Sequence, residues 1–328
     1  MRSSTSASAI ARIIGLIAAV GLLVAACSSN SPSGSQTIFK TVDPSGSAGG
    51  SSSAPAPTST SPTAAPAKPV HIKLLNSDGS TYGVGMPVIA FFSKKITSAK
   101  ALQQATKATV NGKPLAGGWF FEYSSYYKGY PIEAHWRPQS YWPAHAQVHV
   151  EIPSKGLSAG PGLAYDDSLT LDFATGARNI GLVNDANHTI TVTSDGSLKY
   201  KFPVSLGSHE TPTSSGIKVI MEKGLDISMR GPGYYDPHVK FTQRLTYGGE
   251  YLHAAPWNTH NIDHGVDSSN GCTNLHPNDA KTLYNFLRVG DVIQYPNANG
   301  KAMTMGAGYG DWNVSWAAWQ TGGLVSTT

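Results

Sequence analysis

The sequence predicts a mainly β protein with two folded parts and one main helix. Three observations predict this. From about residue 69 to residue 295, apolar and β-branched residues fall in short runs separated by Gly, Pro, Asn and Asp clusters. One pair of runs flanks Asp195-Gly196, the strongest short-range hairpin signal. Helical periodicity is clear in one segment, after Cys272. Residues 69–328 exceed the usual size of a single domain, which places a break near Gly176.

The chain opens with Arg2 and Arg12, an apolar run from Ile13 to Ala26, and the small residues that end at Cys27. A run of about 14 apolar residues is shorter than the roughly 20 needed to span a bilayer, and small residues before a cysteine suit a cleavage site. Residues 1–26 therefore read as an export signal with Cys27 as the mature N-terminus. The VAAC at Val24 to Cys27 resembles the lipobox of bacterial lipoproteins, with valine where leucine is commoner, and implies lipidation at Cys27. A plain signal peptide with a chance cysteine is the alternative. Residues 27–68, dominated by Ser, Pro, Ala, Gly and Thr, bury too little apolar surface to fold and read as a tether of up to roughly 100 Å. The formal charge of +4 falls to +2 with the loss of Arg2 and Arg12, and the remainder has no basic block, so nucleic acid is not an indicated partner.

In the first part, residues 69–176, strand patterns occur at Val70 to Leu75, Met86 to Phe92 and Gln147 to Ile152. A helical piece spans Ser98 to Thr106, with Ser98 of N-cap type. Trp119, Trp136, Tyr141 and Trp142 suit the core of an immunoglobulin-like β-sandwich; a carbohydrate-binding surface is the other use of such aromatics. The second part, residues 177–296, opens with the hairpin Thr189 to Val204. Strands follow at Gly216 to Met221 and Gln243 to Tyr247, and Tyr251 to Ala254 places His253 at a strand end. After Cys272, Pro277 suits a first helical turn, Ala280, Leu283, Tyr284 and Leu287 form one apolar face, and Gly290 can end the helix.

The sequence contains two cysteines, Cys27 and Cys272. With Cys27 lipidated, Cys272 is a lone exported thiol, which is a liability unless it reacts. A thiol attacks carbonyls as the thiolate, a neighbouring imidazole can take its proton, and peptide N–H groups at Gly271 and Cys272 are placed to hold an oxyanion. His253 is the candidate base, with His260, His264 and His276 close by in sequence.

His253 together with Ser269, Asn270, Gly271 and Cys272 resembles the signature of the L,D-transpeptidase family, the YkuD-type catalytic domain. The similarity extends through TPTSSGIKVI, LHAAPW, TNLHPNDAKTLYNFLRVGDVI and GYGDWNVSWAAW, and WRPQSYWPAHAQVHVEI is similar to the immunoglobulin-like domain of actinobacterial lipoprotein members. The resemblance implies Cys272 as nucleophile, His253 as base, the Ala254 carbonyl orienting the imidazole, and Gly271 and Cys272 amides as oxyanion hole. It also implies substrate contacts at Tyr235 on a flap, Gly248, Gly249 and Asn274, no cofactor and no metal, and a C-terminal extension, residues 297–328, packed back on the domains. The implied reaction is a 3→3 cross-link between peptidoglycan stem peptides through a Cys272 thioester, with release of D-alanine. The implied place is the outer face of the cytoplasmic membrane, through a lipid anchor, and carbapenem β-lactams are implied covalent inhibitors. Two departures stand out, Asn270 where many mycobacterial-type members have histidine and a loop before it one residue longer than usual; a further change is Ala254 where serine is common.

Other readings remain open. Water as acceptor makes the enzyme an L,D-carboxypeptidase. His253, His260, His264, Cys272 and His276 offer zinc-type ligands, although their spacing fits no usual paired-ligand pattern. Papain-like enzymes place the histidine after the cysteine, the reverse of this order. A lipid-anchored wall-binding module with a degenerate site is the non-enzymatic reading.

Overall fold

The computed structural model describes residues 65–328 apart from Ser125 and Pro232, so the expected export signal, Cys27 and most of the expected tether lie outside the described residues. The described chain is mainly β, as its short strand runs predict.

Residues 68–175 form a sandwich. One sheet orders the strands Ile72–Leu74, Val88–Phe92, Ile132–Pro138 and Gly117–Tyr123; the other orders Ser80–Tyr82, Leu169–Thr175, Gln147–Ile152, Lys107–Val110 and Lys113–Leu115. Gln147–Ile152 alternates buried and exposed side chains, as a strand with one face on a core must. Val88–Phe92 and Ile132–Pro138 are buried on both faces, because the C-terminal residues cover the outer face of their sheet. There Trp319 Nε1 donates to the Gly118 carbonyl at 2.7 Å, Trp312 Nε1 to that of Gly85 at 2.8 Å, and the Arg137 guanidinium lies 4.1 Å from the Trp319 ring centre.

Trp119, Trp136 and Trp142 are almost wholly buried in the sandwich core, and Tyr141 sits edge-on to Trp312. The run Val70 to Leu75 is two strands, because the chain changes sheets at His71: Lys68–Val70 pairs with Leu163–Tyr165, and Ile72–Leu74 with Val88–Phe92. The helix is shorter than expected, Lys100–Ala105, and Ser98 does not cap it; Ala99 holds the cap position and donates its N–H to the Ser326 carbonyl.

The next segment contributes two further sheets. The first orders Ser197–Pro203, Thr189–Ser194, Asn179–Asn184, Val292–Tyr295 and Gly216–Val219. Its hairpin turns at Asp195 and Gly196, with φ of 48° and 82°, the left-handed pair that a two-residue turn requires. The second orders Glu222–Gly231, Tyr234–Arg244, Tyr251–Ala254 and Thr273–Leu275. The expected strand at Gln243 is the end of one arm of a long hairpin. Tyr251–Ala254 and Thr273–Leu275 run parallel, with His253 opposite Asn274. The helix Pro277–Phe286 packs behind them, burying Ala280 and Leu283 beside Leu252, Ala254 and Leu275. It ends at Leu287 in extended conformation, three residues before Gly290.

Candidate active site

The parallel strand pair brings His253 and Cys272 to one place from 19 positions apart in sequence. His253 lies on the central partner strand, buried, with Nδ1 2.9 Å from the Ala254 carbonyl. Carbonyls only accept, so Nδ1 carries the proton and the neutral ring keeps its lone pair on Nε2. Burial lowers the imidazole pKa, opposed by the Ala254 hydrogen bond and the Asp236 carboxylate, so the ring is neutral at rest. The Trp257 ring stacks beside it, centroids 6.0 Å apart.

Cys272 immediately precedes the strand Thr273–Leu275. Its sulfur points to the Gly249 carbonyl at 3.6 Å. Burial pushes the thiol pKa up to about 12; the Tyr251 amide and Lys218 favour the thiolate, while Glu250 and Asp236 oppose it. The resting pair is thus a thiol beside a neutral imidazole, the protonation states from which a histidine can act as base.

Gly271 has φ of +103°, a conformation that a side chain rarely tolerates, and it turns the chain tightly into Cys272. Its N–H donates to Ser269 Oγ at 3.1 Å, and that hydroxyl donates to the Cys272 carbonyl at 2.6 Å. The Gly271 amide therefore receives an oxyanion only after it releases Ser269. Thr213 Oγ1 donates to the Gly271 carbonyl at 3.0 Å and fixes the other side of the peptide.

The pair opens into a cleft of about 210 Å³. The long hairpin contributes Met229, Tyr234 and Asp236; Trp257, Asn270 and Asn274 complete much of the rim. Of the expected substrate contacts, Asn274 lines this cleft and Gly249 faces the sulfur. Gly248 lines a neighbouring cleft of about 440 Å³, and Asn270 borders both. Tyr235 is exposed, with the Arg230 guanidinium 4.4 Å from its ring centre. Its neighbour Tyr234 faces the cleft, since successive strand residues point to opposite sides. His260 and His264 are exposed and stack on each other at 4.2 Å, and His276 pairs with Asp263 at 2.8 Å.

Sequence reading missed Asp236, the one carboxylate lining the cleft among the described residues, and the pair Lys218 and Glu250 behind it. No local signal marks any of the three, because a single charge in a strand pattern ordinarily faces water.

Known proteins resemble both folded parts of the chain. Residues 178–294 match the L,D-transpeptidase catalytic domain of the YkuD family, and residues 29–158 match a bacterial Ig domain. L,D-transpeptidase 2 of Mycobacterium tuberculosis (strain CDC 1551 / Oshkosh) is 28% identical over 266 residues, covering 77% of this chain and 63% of the relative. L,D-transpeptidase 5 of M. tuberculosis (strain ATCC 25618 / H37Rv) is 30% identical over 267 residues, covering 78% and 57%. A solved L,D-transpeptidase in complex with imipenem superposes with a TM-score of 0.55 at 26% identity, over 68% of this chain and 96% of that one. The chain thus spans about three fifths of the length of those two curated relatives.

Proposed function

From the premise that residues 178–294 are an L,D-transpeptidase catalytic domain of the YkuD family, behind a bacterial Ig domain, we propose that the chain cross-links peptidoglycan stem peptides through a thioester on Cys272. The observation that carries the reading is that Cys272 lines one cleft with a neutral His253 whose Nδ1 is held by the Ala254 carbonyl.

His253 Nε2 takes the thiol proton as Cys272 Sγ attacks the carbonyl carbon of the third stem residue. The oxyanion gathers on the Cys272 amide, and on the Gly271 amide once that N–H exchanges Ser269 Oγ for it; a donor already aimed at the developing charge is worth about 3–4 kcal/mol of barrier. Collapse breaks the peptide bond, and the imidazolium returns the proton to the departing D-alanine amine. A side-chain amine of a neighbouring stem then attacks the thioester, forming the 3→3 amide and restoring the thiol. Carbapenems open on the same sulfur by the same attack, and imipenem is the ligand of the solved relative. We place the enzyme on the outer face of the cytoplasmic membrane, anchored through a lipid on Cys27 and separated from it by the Ser/Pro/Ala-rich tether, with the Ig domain as spacer.

The test is incubation of the protein with a disaccharide-tetrapeptide, read by mass spectrometry beside Cys272→Ala. The expected product is a dimer lacking one D-alanine, absent with the variant. Tripeptide alone makes the enzyme a carboxypeptidase, and no product at all defeats the enzymatic reading.

A further inference from the structure

Beside the cleft lies an ion pair that the reaction described above does not use, its lysine buried and its carboxylate lining the neighbouring cleft. Lys218, on the strand Gly216–Val219, has a side chain fully withdrawn from solvent; it pairs with the Glu250 carboxylate, and its Nζ lies 3.9 Å from the centre of the Tyr295 ring. Glu250 also accepts from the Ser214 N–H at 2.8 Å and the Ser214 hydroxyl at 2.7 Å. A Cβ built on Gly271 would lie 3.6 Å from Glu250 Cγ and 3.9 Å from its Oε1, so the carboxylate sits against the peptide that precedes Cys272. The residue before Glu250 is Gly249, whose carbonyl faces the Cys272 sulfur.

Stability alone does not account for such a pair. Taking the lysine charge out of water is costly even with a partly exposed partner, and apolar residues of similar volume commonly hold strands together as well or better. What the pair adds is charge at a chosen point. Around the sulfur stand His253 and Tyr251 on the adjoining strand, Asp236 and Tyr234 on the hairpin, Tyr295 on the strand Val292–Tyr295, and the ion pair itself. Lys218 is the one permanent cation of that set, and Asp236 and Glu250 are its two anions.

We propose that Lys218 and Glu250 are positioning residues for Cys272: Glu250 fixes the Gly248-Gly249 turn against the sulfur, and Lys218 places a cation behind the thiolate as it forms. This rests on Cys272 being the nucleophile. Each residue then acts on the thiolate with its own sign, which packing alone does not produce. Lys218 contributes attraction, Glu250 contributes repulsion, and losing either unmasks the other.

Alkylation of Cys272 in the full chain by iodoacetamide at about pH 8, followed on the Cys272 peptide by mass spectrometry so that Cys27 does not interfere, separates these effects. Glu250→Gln, which keeps an acceptor for Ser214, is expected to speed alkylation about tenfold, and Lys218→Met to slow it about tenfold, each corresponding to about one pKa unit. Lys218→Arg, which keeps the charge, is expected to stay within about twofold of the unaltered chain. Rates that do not change, or that move in the same direction in the two charge-removing variants, overturn the proposal. If Lys218→Met does not fold, Glu250→Gln decides alone, and a rate at or below that of the unaltered chain overturns it. Alkylation needs no stem peptide, so this result is independent of the cross-linking assay.

Discussion

Cys272 and His253 are both neutral at rest, so the proposed reaction depends on proton transfer at the moment of attack rather than on a standing thiolate. Removing the base with His253→Ala is expected to slow carbapenem acylation of Cys272 by about 10²–10⁴-fold, read by the mass of the adduct over time; a change of less than tenfold contradicts the base role. Asp236 tunes this step. Its carboxylate raises the imidazole pKa against the larger lowering effect of burial, so Asp236→Asn lowers that pKa. The base then stays neutral to a lower pH, and the acid limb of the acylation profile moves to lower pH, while a move to higher pH refutes the assignment. The places of Cys272, Gly271 and His253 are legible in the sequence because a cysteine after a glycine and a histidine at a strand end form local patterns. Asp236, Lys218 and Glu250 are not, because their meaning comes from two strands and a turn that meet only in the fold.

The element that sets the site is the parallel pair Tyr251–Ala254 and Thr273–Leu275, and parallel neighbours need a crossover between them and cover on their faces. The helix Thr259–His264 lies within the crossover, and Pro277–Phe286 supplies the cover. Leu283 is fully buried at that contact. Leu283→Ala is expected to cost about 2–5 kcal/mol in denaturant unfolding, by lost burial and the cavity left behind; a cost below about 1 kcal/mol shows that the helix is not the support for these strands. The apolar face of this helix and the Asp195-Gly196 hairpin are readable from sequence because periodicity and turn chemistry are local. The sheet change at His71 and the unused cap at Ser98 are not, because tertiary pairing decided both.

Across the whole described molecule, the sandwich is tied to the C-terminal residues by a buried charge network. His135, fully buried, holds Asp311 Oδ1 through Nδ1 and Glu133 Oε1 through Nε2, both at 3.0 Å, and the Tyr247 hydroxyl donates to the same Glu133 oxygen at 3.0 Å. Tyr247 immediately precedes Gly248 and Gly249, so the network also reaches the turn beside the Cys272 sulfur. It could not be read from sequence, since His135 and Asp311 lie 176 positions apart and the segment GYGDWNVSWAAW that holds Asp311 does not name its partner. Burial opposes the charge on His135, but the flanking Asp311 and Glu133 carboxylates hold its pKa at about 10 against an ordinary 6.5. The folded state therefore keeps a proton that the unfolded chain releases above about 6.5. The stability this supplies is complete below that pH and is lost as pH rises towards 10. Between about pH 7 and 9 the folded protein is expected to lose roughly 1–3 kcal/mol from this group, seen as a falling Tm. His135→Gln leaves two buried carboxylates without their cation, so it starts from a lower Tm, and it also removes the titrating group and flattens the decline. A Tm that rises over this range in the unaltered protein, or a decline that persists unchanged in the variant, places the proton somewhere other than His135.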